Sequence, residues 1–172
     1  VTNALLAAAT GWTLGLTIDE IKAGLETPDL TGGRLRRYDS GGVIIFDDTY
    51  NANPDSVRAA IDTLADQPLE NGNTKTVVLG MMAELGTHAD EMHQAVGRHA
   101  AESGIRVVSV GRDAGQIAVG AQQGGAPLVM HFEDYLQAAD WLQEAVHAGD
   151  YVLFKGSRMA AVETVMNEAF PK

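Results

Sequence analysis

Val43-Ile44-Ile45-Phe46-Asp47-Asp48-Thr49-Tyr50-Asn51-Ala52-Asn53-Pro54-Asp55-Ser56 runs from an apolar stretch through a polar turn into the start of a helix. An unbroken run such as Val43-to-Phe46 suits a strand covered on both faces, the situation in a parallel sheet flanked by helices. Asn53 is a suitable N-cap, Pro54 has the fixed φ favoured at the first helical position, and Asp55 complements the helix dipole. These roles account for the helix start. They leave unexplained Asp47 and Asp48, a carboxylate pair that ends an apolar strand, and the phenol and amides behind them. A carboxylate there can accept hydrogen bonds from ribose hydroxyls or orient a metal-bound water; an ordinary turn is the alternative.

The same rhythm repeats down the chain. Strands are predicted at 34–39, 43–46, 76–79, 107–110, 127–130 and 151–154, and helices at 54–66, 88–103, 113–122, 133–147 and 157–169. Alternation of this kind implies an open, Rossmann-like α/β fold, a mostly parallel sheet of about six strands with right-handed crossovers. Ligands of such sheets sit at the carboxyl ends of the strands, so the turns there carry the functional reading.

Upstream, residues 4–25 read as two short helices. Leu5, Leu6 and Ala9 share a face, and Thr17 can cap a second helix holding Ile18, Ile21 and Leu25. Pro28, Gly32 and Gly33 break this pattern, placing a boundary between 1–32, a helical remnant of another domain, and 33–172. A chain that opens on Val1 rather than Met is expected to be a piece of a longer protein, and no basic residue precedes its apolar start, so a signal peptide is not expected.

Composition narrows the function classes. The 172 residues include no cysteine, which removes thiol catalysis, zinc-thiolate sites and iron–sulfur clusters and fits a reducing compartment. A net charge of −11 argues against nucleic-acid binding and anionic membranes. No apolar run approaches the roughly 18 residues that a membrane span needs. An anionic ligand must therefore meet a local basic cluster.

Three further turns stand out. In Leu79-Gly80-Met81-Met82-Ala83-Glu84-Leu85-Gly86, Glu84 can bind a substrate amine or be a solvated loop acid, and Thr87 with Asp90 resembles a capping box. Lys155-Gly156-Ser157-Arg158 joins a strand to the last predicted helix, where free N–H groups, a hydroxyl and two cations can hold an anion; the plainer reading is Ser157 as an N-cap between solvated cations. Gly33-Arg34-Leu35-Arg36-Arg37 is the densest basic cluster, either an arginine aimed at phosphates from a hinge or a charged edge strand. No lysine follows a glycine, so there is no Walker A loop; there is also no G-x-G-x-x-G after a strand and no G-x-S-x-G. His88, His93 and His99 spread around their helix and read as solvated or cap-side residues rather than metal ligands.

Together, Gly33-Arg34-Leu35, Asp47-to-Ser56, Leu79-Gly80-x-Met82-x-Glu84-Leu85-Gly86 and Lys155-Gly156-Ser157-Arg158 resemble the carboxy-terminal domain of the Mur ligase family, and the resemblance covers essentially the whole chain. It implies that residues 1–32 are the last helices of a central ATPase domain and that 33–172 are the complete third domain. It also implies bacterial, cytoplasmic peptidoglycan precursor synthesis: ATP phosphorylates a carboxylate of a UDP-muramoyl precursor and an amine attacks the acyl phosphate. The Asn51-Ala52-Asn53-Pro54 stretch points to members that add D-Ala-D-Ala to UDP-N-acetylmuramoyl-tripeptide. By the same resemblance Arg34, Asp48, Tyr50 and Asn51 would serve ATP, whereas Asn53, Glu84, Ser157 and Arg158 would serve D-Ala-D-Ala. Catalytic residues, the phosphate loop and most Mg2+ ligands would lie in the rest of the parent chain, so this portion would be inactive alone. Met81 stands where the family often has Asp. The competing readings are a diamino-acid-adding or folylpolyglutamate synthase-like ligase, and a non-catalytic flavodoxin-like binding module.

Overall fold

The computed structural model describes residues 2–26, 33–70 and 72–171, in two compact units, Val1–Thr31 and Gly32–Lys172. Pro28 and Gly32, which break the helical pattern in the sequence, lie outside the described residues. In the first unit, α1 (Thr2–Thr13) is followed by α2 (Ile18–Glu26). Thr17 caps α2 through a reciprocal box: its Oγ1 accepts from the Glu20 N–H at 3.3 Å, and its own N–H donates to the Glu20 carboxylate at 2.8 Å. The Thr17 N–H and the Thr17 hydroxyl, which donates to the same carboxylate at 2.7 Å, hold the Glu20 carboxyl below its ordinary range. Leu5, Leu6 and Trp12 are exposed.

The second unit runs β1 (Arg36–Ser40), β2 (Val43–Asp48), α3 (Pro54–Ala65), β3 (Lys75–Gly80), α4 (Ala89–Glu102), β4 (Arg106–Val110), α5 (Gly115–Gln123), β5 (Val129–Phe132), α6 (Tyr135–Ala145), β6 (Tyr151–Lys155) and α7 (Glu163–Ala169). The sheet order is β1-β2-β6-β3-β4-β5. All neighbours are parallel except β1 and β2, a hairpin turned by Gly41 and Gly42 at φ +62° and +87°. Positive φ at both central positions is what a two-residue primed turn requires.

Alternate strand residues feed two cores. Phe46, Val77, Leu79, Val107 and Leu153 pack beneath α3, α4 and α5; Ile45, Val78, Val108, Val152 and Phe154 pack beneath α6 and α7. Each such side chain contributes about 1.5–3 kcal/mol by leaving water. The continuous apolar runs arise because both sheet faces are covered. Among the described residues no helix is long and apolar enough to cross a membrane.

Three local expectations are corrected. The last helix does not open at Ser157: Arg158–Ala160 form a 3-10 turn, Ala161 turns left-handed at φ +45°, and α7 begins only at Glu163. The cause is close packing, because a Cβ on Gly80 would strike Val162 and Ala160, and one on Gly156 would meet Val162 at 2.6 Å. The chain leaving β6 thus lies across the end of β3 before a helix can start. Thr87 and Asp90 form no capping box: Gly86–His88 are a 3-10 turn, and α4 starts without a side-chain cap. The fifth strand spans Val129–Phe132 rather than 127–130.

Candidate functional site

The strand order places β6 between β2 and β3, so the turns after Asp48, Gly80 and Lys155 lie side by side at the carboxyl edge. Asp48 and Lys155 are direct partners in the parallel register, and Lys155 Nζ donates to Asp48 Oδ2 at 2.6 Å and to the Asn51 carbonyl at 2.9 Å. The lysine is only 2% exposed. Both sequence readings of Lys155 are therefore corrected: its ammonium is neither solvated nor a free anion ligand, because the register delivers a carboxylate to it. Asp48 Oδ1 accepts from the Leu35 N–H at 3.0 Å. The neighbouring Asp47 is buried and accepts from the Thr49 hydroxyl at 2.8 Å.

Arg34 precedes β1, and its guanidinium lies 4.6 Å from the centre of the Tyr50 ring, with that of Arg158 at 5.9 Å from the same ring. The basic cluster thus divides: Arg36 and Arg37 are exposed on the edge strand, whereas Arg34 turns toward the strand-end turns. Gly33 makes this approach possible. Its φ is +75°, its carbonyl accepts from the Tyr50 N–H at 2.9 Å, and a Cβ there would meet that nitrogen at 2.9 Å. Gly33, Thr49, Tyr50, Arg158 and Glu163 line a small cavity of about 220 Å³.

Asn53 caps α3, accepting from the Ser56 N–H at 2.8 Å through Oδ1, while Ser56 Oγ accepts from the Asn53 N–H at 3.1 Å. Its side-chain NH2 remains a donor at an exposed position. Glu84 is exposed and holds a left-handed backbone at φ +63°, a conformation costly for a residue with a Cβ. Its loop is pinned on both sides of the sheet edge: the Ser157 N–H donates to the Met81 carbonyl at 2.9 Å, and the Met82 N–H donates to His93 Nε2 at 2.8 Å. The Ser157 N–H is thereby occupied, so the expected free helix N-terminus is absent. The Ser157 hydroxyl, by contrast, is buried without a hydrogen-bond partner.

Asn53, Glu84, Ser157 and Arg158, drawn from three separate turns, line one cavity of about 370 Å³ together with Asn51. Arg34 and Tyr50 adjoin this cavity through Arg158, whose guanidinium lies over the same ring, and Asp48 is tied to the Tyr50 turn through Lys155 and to the Arg34 segment through the Leu35 N–H. Two features escaped the sequence reading. His93 is buried rather than solvated, and burial lowers its imidazole pKa, with the Ala89 backbone and the Asp90 and Asp113 carboxylates opposing that shift. A larger cavity of about 600 Å³ lies on the other side of Glu84, reached by Arg112, Asp113 and Gln116. The position of Gly111-Arg112-Asp113 just after β4 was the signal available for it.

Residues 33–158 match the family described as Mur ligase, glutamate ligase domain. The UDP-N-acetylmuramoyl-tripeptide–D-alanyl-D-alanine ligase of Escherichia coli (strain K12) is 36% identical over 170 residues, which cover 96% of this chain and 36% of that protein. The enzyme of the same name from Bacillus subtilis (strain 168) is 35% identical over 179 residues, covering 98% of this chain and 37% of its own. A crystal structure of MurF from Acinetobacter baumannii superposes with a TM-score of 0.87 at 33% identity, over 100% of this chain and 38% of that one. MurF ligase from Thermotoga maritima in complex with ADP gives 0.79 at 29% identity, over 94% and 35%. The chain thus spans little more than a third of the length of the relatives it matches.

Proposed function

This chain belongs to the Mur ligase family through its glutamate ligase domain, and from that premise we propose that it is the carboxy-terminal portion of an ATP-dependent ligase adding D-Ala-D-Ala to UDP-N-acetylmuramoyl-tripeptide. The observation that carries the reading is the cavity in which Asn53, Glu84, Ser157 and Arg158 converge from three turns. A dipeptide zwitterion needs a carboxylate for its ammonium and a cation with hydroxyl donors for its carboxylate. Glu84 supplies the first, Arg158 and the unpartnered Ser157 hydroxyl the second, and the Asn53 NH2 donates from the rim.

ATP is assigned to the adjoining face. Arg34 reaches the phosphates, Tyr50 and Asn51 border the nucleoside, and Asp48 orients the ribose with acceptor capacity beyond its two internal hydrogen bonds. In the parent, the γ-phosphoryl group passes to the tripeptide carboxylate, releasing ADP. The dipeptide amine then attacks the acyl carbon and phosphate leaves as the amide forms. A Mg2+ bound with ATP would supply charge neutralisation at the phosphate oxygens. Its ligands are assigned mainly to the rest of the parent chain.

Residues 1–32 are assigned to the end of the central ATPase domain and 33–172 to the third domain; the division into two compact units and the exposed Leu5, Leu6 and Trp12 support this. The small-molecule substrates, the nucleotide chemistry and the net charge of −11 support a cytoplasmic enzyme that contacts neither nucleic acid nor membrane. The test is ATP-dependent phosphate release by the full-length parent with UDP-N-acetylmuramoyl-tripeptide and a panel of amines. Release with D-Ala-D-Ala alone is expected. Release with a different amine overturns the dipeptide pocket, and none with any amine overturns the ligase reading.

A further inference from the structure

We propose that Lys155 is a positioning residue for the nucleotide site, acting through Asp48 rather than by touching an anion itself. Lys155 and Asp48 are 107 residues apart in sequence but register partners on adjacent strands, so the sheet itself brings the ammonium to the carboxylate. The ammonium is closed to solvent while the carboxylate keeps a partly open face, with side-chain exposures of 3% for Lys155 and 16% for Asp48. One ammonium joins two groups of the same turn, Asp48 Oδ2 at 2.6 Å and the Asn51 carbonyl at 2.9 Å. The opposite carboxylate oxygen takes the Leu35 N–H at 3.0 Å.

These bonds fix the Asp48-to-Asn51 turn at both ends and tie it to the segment carrying Arg34. A carboxylate held by two donors presents its remaining lone pairs in one direction, as a ribose diol requires. Lys155, buried 2% exposed beneath the turn, is separated from the ligand by the groups it orients. Arg34 and Arg158, whose guanidiniums both lie over the Tyr50 ring, are cations placed to meet phosphate or carboxylate directly.

The inference rests on the proposed ATP site, and a double-mutant cycle in the full-length parent tests it. Calorimetric Kd for ATP and thermal stability are measured for the wild type, Asp48→Asn, Lys155→Met and the double variant. Lys155→Met is expected to raise the Kd about tenfold and to add nothing once Asp48 is Asn. Losses that multiply mean that the ammonium meets the nucleotide directly and overturn the proposal. A fall in Tm with an unchanged Kd makes Lys155 merely structural and also overturns it. Lys155→Met removes the ammonium from a partly buried carboxylate, so if that variant does not fold, Asp48→Asn against the double variant decides: equal Kd supports the proposal, a further loss overturns it. A wild-type parent that binds no ATP instead overturns the assigned function.

Discussion

The backbone N–H of Met82 donates to Nε2 of His93 at 2.8 Å, an acceptor role open only to the neutral ring. Burial already pushes this imidazole below its ordinary value, against the opposing pull of Asp90, Asp113 and the Ala89 backbone. The unfolded ring takes up a proton near pH 6.5 while the folded one resists, so His93 favours folding fully above that pH and progressively less as the pH falls below it. His93→Gln keeps an acceptor and removes the titration. The wild type is expected to lose Tm as the pH is lowered from about 6.5, and the variant to lose less over the same interval; parallel curves would refute the role.

Arg34 and Tyr50 make a second prediction. An arginine over an exposed ring gains about 0.5–1 kcal/mol, and the ring also fixes where the guanidinium points. In the parent, Arg34→Ala is expected to raise KM for ATP by roughly tenfold or more, in line with ~1.5–3 kcal/mol for a charged hydrogen bond, with little change in KM for D-Ala-D-Ala. Tyr50→Phe preserves the ring face and is expected to be near neutral, whereas Tyr50→Ala moves in the direction of Arg34→Ala. A phenylalanine variant as weak as the alanine one would show that the hydroxyl, not the face, matters.

Glu84 should give two readouts of opposite sign. Its left-handed backbone costs roughly 1–2 kcal/mol, which glycine would relieve, while its carboxylate is assigned to the dipeptide ammonium. Glu84→Gly is therefore expected to raise Tm and to raise KM for D-Ala-D-Ala at least tenfold, the scale of one lost charge-assisted hydrogen bond at ~1.5–3 kcal/mol. Glu84→Gln should share the KM effect without the gain in Tm. Steady-state kinetics and differential scanning calorimetry on both variants check this.

Much of the molecule was readable from residue patterns because the sheet is buried on both faces: runs such as Val43-to-Phe46 and Tyr151-to-Phe154 needed no partner to be recognised. The Asn53-Pro54-Asp55-Ser56 helix start was equally legible, since capping is local. What depended on distant partners was not. Lys155 looks like any basic residue until the register sets it beside Asp48, and Ser157 looks like a cap until Gly80, Ala160 and Val162 are seen to pack where a helix would begin. His93 reads as a surface residue because nothing within α4 announces the loop that comes to cover it. The convergence of Asn53, Glu84, Ser157 and Arg158 likewise follows from strand order, which alternation alone does not fix.

The position of β6, the last of the six strands along the chain yet flanked by β2 and β3, also bears on biosynthesis. During translation, β2 emerges more than a hundred residues before the strand that must lie against it, as the 107-residue gap between Asp48 and Lys155 records. Until residues 151–155 leave the ribosome, the β1–β2 hairpin and the β3-β4-β5 segment have no shared seam, and each carries an open edge. Such long-range closure is slow and exposes unpaired strands meanwhile. Folding of this unit is therefore a late, nearly all-at-once event, and a nascent chain stalled before Tyr151 would be a client for chaperones rather than a half-built domain.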